Sequence, residues 1–201
     1  MHSAKVIDRK IWEKEQIMTQ IHANQKLAIN REICVTKEGT PVSGVEILRV
    51  ASNGTFIQGT TNDQGIWEYT DPFSGTVTFM TGASGISGNY VVMQPNDWKG
   101  KLNIPVQDKP NGGSIIIRQD SGEIPGLKGA INPIRDTAGR TYIYGNNISF
   151  SEVPEQPFRF VIGEPFTATD ALNNIFELTI LAILGRSSLV RYTLVEPSPL
   201  T

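Results

Sequence analysis

From Leu27 onward, short runs rich in Val, Ile, Thr and aromatic residues alternate with clusters of Gly, Asn, Asp and Pro at intervals of about 8 to 12 residues. Such frequent punctuation leaves no room for long amphipathic helices and restricts the chain to a β-sandwich or a β-barrel. The spacing predicts strands over 27–36, 45–50, 55–61, 66–69, 75–80, 89–93 and 101–106. In the first of these Leu27, Ile29, Ile33 and Val35 share one face, the alternation of a half-buried strand.

The segment 108–113, Asp-Lys-Pro-Asn-Gly-Gly, has the composition of a flexible connector and marks a boundary. Beyond it the β pattern resumes over 114–118, 129–134, 141–144, 147–150, 158–162, 165–169, 175–184 and 188–194. The expected organisation is therefore a sandwich over 26–107 and a small β-barrel or compact sandwich over 114–196. Three turns share one chemistry: Asp63-Gln-Gly65 before Trp67, Asp136-Thr-Ala-Gly139 before Tyr142, and Asp170-Ala-Leu-Asn-Asn174 before Phe176. Asp, Asn and Gly are what tight turns select, so convergent turn chemistry accounts for the repetition.

Residues 1–25 differ from the rest, with charged and amide side chains between spaced aliphatics, and they predict an amphipathic helix. Ala4, Ile7, Ile11, Met18 and Ile21 fall on the a and d positions of three heptads, and Lys14 takes the remaining d position. Two readings stay open. The stripe of Ile7, Ile11, Met18 and Ile21 either packs on its own β module or forms an interface with a protein partner or a second copy.

A resemblance emerges from three stretches of the first module. They are Gly39-Thr-Pro-Val-Ser-Gly44-Val45-Glu-Ile47, Thr61-Asn-Asp63-Gln-Gly65-Ile66-Trp67 and Gly75-Thr-Val77-Thr-Phe79. Together they resemble the carboxypeptidase regulatory-like domain with its transthyretin-like fold, over residues 27–107. The resemblance implies a β-sandwich and an accessory role, with no catalytic residues to carry over. The segment 114–196 resembles no such family.

Charge narrows the partners. Lys and Arg total 18 against 20 Asp and Glu, a net charge of -2, so nothing in the overall balance favours a phosphate backbone, and nucleic acid is not expected. The single cysteine, Cys34, cannot form an intramolecular disulfide, which points to a reducing, cytoplasmic setting. No export signal is expected at the amino terminus. The longest apolar run, over 178–184, is far shorter than the ~20 residues of a spanning helix, so no membrane association is expected and the run reads as a buried strand.

Catalytic signatures are scarce. The two histidines, His2 and His22, both lie in the predicted helix, and no His or Cys spacing fits a metal, so neither metal nor cofactor is expected. Gly82-Ala-Ser-Gly85-Ile-Ser-Gly88 lacks the Lys-Ser or Lys-Thr of a phosphate loop and reads as a mobile β loop. Asp63, Asp71, Asp136 and Asp170 all read as turn residues bonding local backbone. The expected function is thus a non-catalytic interaction or scaffold protein. A ligand-binding module presenting Trp98 for a glycan, a peptide or a surface component is the alternative. An enzyme with its site in the carboxy-terminal module is the third reading, and a Tyr142 or Tyr144 ring near Arg140 or Arg159 would favour it.

Overall fold

The computed structural model describes residues 29–195 apart from 72–74, 95–96, 98–99, 119–120, 152 and 154. The described chain is mainly β. Its first module contains β1 (Ile29–Lys37), β2 (Thr40–Pro41), β3 (Glu46–Ala51), β4 (Phe56–Thr60), β5 (Ile66–Asp71), β6 (Val77–Gly82), β7 (Ser84–Ile86), β8 (Asn89–Met93) and β9 (Lys101–Val106). In one sheet β1 pairs antiparallel with β2 and β5 and parallel with β9. The other sheet has the antiparallel order β4-β3-β6-β8. Their inner faces meet in a core that includes Ile33, Val35, Ile47, Phe79 and Ile104.

The second module contains β10 (Asp108–Ile117), β11 (Ala130–Arg135), β12 (Thr141–Asn146), β13 (Ile148–Phe150), β14 (Phe158–Arg159), β15 (Pro165–Asp170), β16 (Ile175–Leu184) and β17 (Ser187–Val195). A six-stranded sheet of order β13-β15-β16-β17-β10-β7 faces a three-stranded sheet of order β11-β12-β14. Between them lies a core rich in phenylalanine, with Phe150, Phe160, Phe166 and Phe176 all buried. Phe150 stacks on Phe158 and meets Phe166 edge-on, the offset and T-shaped contacts that ring quadrupoles favour.

The segment expected to be a flexible connector is instead the first half of β10, with Gly112 and Gly113 paired to Thr193 and Tyr192 of β17. Its glycines answer a packing demand. A Cβ on Gly112 would lie 2.1 Å from the Tyr192 carbonyl oxygen, and one on Gly113 2.6 Å from that of Ala83, so only glycine admits both neighbouring chains. The glycine-rich stretch read as a mobile loop is likewise structured, because β7 inside it pairs with β10. The six-stranded sheet therefore borrows a strand from the first module.

A further apolar layer joins the modules. Leu48 and Val50 of β3 and Met80 of β6, on the outer face of their sheet, pack with Ile116, Ala182 and Leu189. This double coverage explains why every residue of β6 is buried and β3 is buried from Ile47 to Ala51, without the alternation of a half-buried strand. The apolar run over 178–184 is a buried strand as expected, with a bulge between Ile180 and Ala182 after which Ile183 continues the inner face.

The shared turn chemistry serves two ends. Asp136 and Asp170 close true hairpins, β11 to β12 and β15 to β16. At the first turn it is Asn62, not Asp63, whose Oδ1 accepts the N–H groups of Gln64 and Ile66. That turn carries the chain from one sheet to the other, because β4 and β5 belong to different sheets.

The predicted helix over 1–25, with Ile7, Ile11, Met18 and Ile21, lies outside the described residues, as does Trp98.

Candidate functional site

The parity of β3 sends Ile47, Arg49 and Ala51 towards the first sandwich core, so an arginine stands where a core strand ordinarily carries an aliphatic residue. Arg49 is 1% exposed. A buried guanidinium needs a counter-charge, and β5 supplies one from the opposite sheet: Arg49 Nη2 donates to Asp71 Oδ1 in an ion pair that is closed to solvent. Tyr69 Oη donates to the other carboxylate oxygen, Asp71 Oδ2, at 3.0 Å. Burial, and then the adjacent Asp71 charge and hydrogen bond, push the Tyr69 phenol well above its ordinary range, so it remains a donor at any physiological pH.

Aromatic packing fixes this cluster. The Tyr69 ring stacks on Trp67 with centroids 4.4 Å apart and meets Phe79 edge-on. Trp67 in turn occupies the space over Gly59, where a Cβ would fall 2.0 Å from its Nε1. Asp71, expected to bond local backbone in a turn, is thus a cross-sheet ion-pair partner. The signal that would have found it is a charged residue on the core parity of β3, which only pairing with a second charge can sustain.

A groove of about 470 Å³ opens beside Tyr69, lined also by Arg31, Glu32, Glu68 and Lys101. Register explains its charges: Glu32 of β1 stands opposite Glu68 of β5 on one side and Lys101 of β9 on the other, which places all three on one row of the outer face. Lys101 Nζ lies 2.6 Å from Glu32 Oε1, and that hydrogen bond raises the lysine above its ordinary value. The row thus presents two carboxylates and one ammonium group, the ammonium paired to Glu32.

In the second module Asp136 and Asp170 do bond local backbone, as expected. Asp136 Oδ1 accepts from the N–H groups of Ala138 and Arg140, and Asp170 Oδ1 from those of Leu172 and Asn174. Asp170 Oδ2 also accepts from the Lys128 N–H and from Asn174 Nδ2. Cys34 is buried in β1. Among the described residues no group of three His, Cys, Asp or Glu side chains is placed to hold a metal. No helix among them is long and apolar enough to cross a membrane.

No protein-family model matches the chain. It is similar to the 3' cyclic ADP-D-ribose synthase AaTIR of Aquimarina amphilecti, with 25% identity over 158 residues, 79% of this chain and 47% of that protein. The chain thus spans about half the length of the curated relative it matches. Among solved structures it is similar to a crystal structure of a mutant of the shaft pilin spaA from Lactobacillus rhamnosus GG, at 12% identity and a TM-score of 0.30, covering 78% of this chain and 89% of that one.

The relative's name is that of an enzyme, which overturns the expectation of a non-catalytic interaction or scaffold protein and of no enzymatic role. That expectation rested on missing local motifs. Motifs of that kind register only residues close in sequence, whereas a site assembled from several strands leaves no such trace.

Proposed function

We propose that the chain works as part of an enzyme that forms cyclic ADP-ribose. The observation that carries this is the similarity over 158 residues, a stretch longer than either module, so that it runs through both. Closing the ring starts from an ADP-ribose that carries a leaving group on a ribose carbon: the bond to that group breaks with the electron pair departing on it, a hydroxyl oxygen of the same molecule bonds to the carbon, and a base takes the hydroxyl proton. The enzyme must hold a folded dinucleotide-like substrate, keep water from the reacting carbon and place carboxylates near its hydroxyls. The groove beside Tyr69 is the described site best suited to that substrate, with Glu68 and Glu32 for sugar hydroxyls and Lys101 for phosphate. The paired sheets of the first module also support reading it as a carboxypeptidase regulatory-like, transthyretin-like sandwich.

The test is a chimera in which this chain replaces the matching region of the Aquimarina enzyme, with mass spectrometry following the cyclic product. Product formation is expected with this chain and not with an unrelated β-sandwich of the same length. A folded chimera that makes no product, or equal activity with the unrelated sandwich, contradicts the reading.

A further inference from the structure

The outer face of the three-stranded sheet carries an arrangement that the groove does not use. Ile143 of β12 points into the core and is fully buried, so Tyr142 and Tyr144 on either side of it point outward. Tyr142 stands opposite Arg159 of β14 and Tyr144 opposite Asn132 of β11. The Arg159 guanidinium lies 5.5 Å from the Tyr142 ring centroid and the Arg140 guanidinium 5.8 Å from it, so one ring holds two cations. Tyr144, about 7 Å along the strand, is 44% exposed and has no ring partner among the described residues.

The charges of this face are uneven. None of β11, β12 and β14 carries an acidic residue. Arg140 Nε is held by Asp136 Oδ2 at 2.7 Å, which fixes the side chain and leaves its terminal nitrogens to other acceptors. Arg159 has no ion-pair partner among the described residues. Two arginines ordered on a ring, beside a second open ring, are complementary to a ligand with a planar base at one end and phosphates at the other.

We propose that this face binds a mononucleotide, its base stacked on Tyr144 and its phosphates held by Arg159 and Arg140. The assignment stands on this geometry and does not depend on the enzyme reading above. One open ring accommodates one base, which favours a mononucleotide over a nucleic-acid strand.

Isothermal titration of the full chain with ADP, adenosine and inorganic pyrophosphate tests it. ADP is expected to bind more tightly than either fragment, and Tyr144→Ala and Arg159→Gln are each expected to weaken it about tenfold. Both side chains are exposed, so the melting temperature should hold and separate lost binding from lost fold. No heat with ADP at millimolar concentration, or affinity unchanged in both variants, would overturn the assignment. So would tightening with oligonucleotide length.

Discussion

The two modules solve the same problem, burying facing β-sheets, with opposite materials. The second builds the core between its sheets from aromatic and aliphatic side chains, led by Phe150, Phe160, Phe166 and Phe176, with no ion pair among them. The first places a charged pair, Arg49 and Asp71, between its sheets and packs Trp67, Tyr69 and Phe79 around it. A buried ion pair repays its own desolvation at best, so the first module gains little net stability from those two residues, whereas an apolar core gains with every methylene buried. What the pair does supply is register. It ties the end of β5 to the middle of β3 and holds Tyr69 at the wall of the charged groove.

The contrast can be broken from either side. Phe150→Ala, in the aromatic core, should cost about 4 kcal/mol in urea unfolding, the transfer and cavity cost of a lost core phenyl ring. Asp71→Leu should cost about 3 kcal/mol, because it strands the Arg49 charge in a low-dielectric interior. Adding Arg49→Met to Asp71→Leu should recover most of that loss. A double variant as unstable as the sum of its singles would show that the two charges do not act as a pair.

A smaller effect lies in acid. Burial works to raise the Asp170 carboxyl, but hydrogen bonds from the Asn174 side chain and from the Lys128, Asn174 and Leu172 N–H groups outweigh it and hold the group at about 2. An unfolded aspartate titrates near ~3.9, so this contribution is full above about pH 4 and disappears as pH falls through about 2. Asp170→Asn should therefore be less stable than the parent above pH 4, with the gap closing towards pH 2. A gap that widens with acid would reverse the assigned sign.

Strand positions were legible in the sequence because turn residues and alternation are local signals. β8, β9 and β16 match their predicted spans residue for residue, and β11, β12 and β17 differ by one or two residues at their ends, whereas β10 begins six residues before its predicted start. What local signals could not convey was the role of glycine in a crowded sheet. Gly112 and Gly113 have the composition of a linker, and only the approach of β17 and β7 from two sides shows that they belong to a strand. The candidate sites were harder still. Asp71 looks like a turn residue until β3 brings Arg49 to it, and the Tyr142 and Arg159 pair arises from strands separated by the whole β13 segment. The idea of a Tyr and Arg cluster was available from residue types, but its geometry depends on register.

These unlike modules form one folding unit, joined by β7 in the six-stranded sheet and by the layer of Leu48, Val50, Met80, Ile116, Ala182 and Leu189. Differential scanning calorimetry tests this most directly. The full chain should unfold in a single transition whose calorimetric and van't Hoff enthalpies agree, and Phe150→Ala and Asp71→Leu should each lower that same transition. Two resolved transitions, with each substitution lowering only the one belonging to its own module, would contradict it.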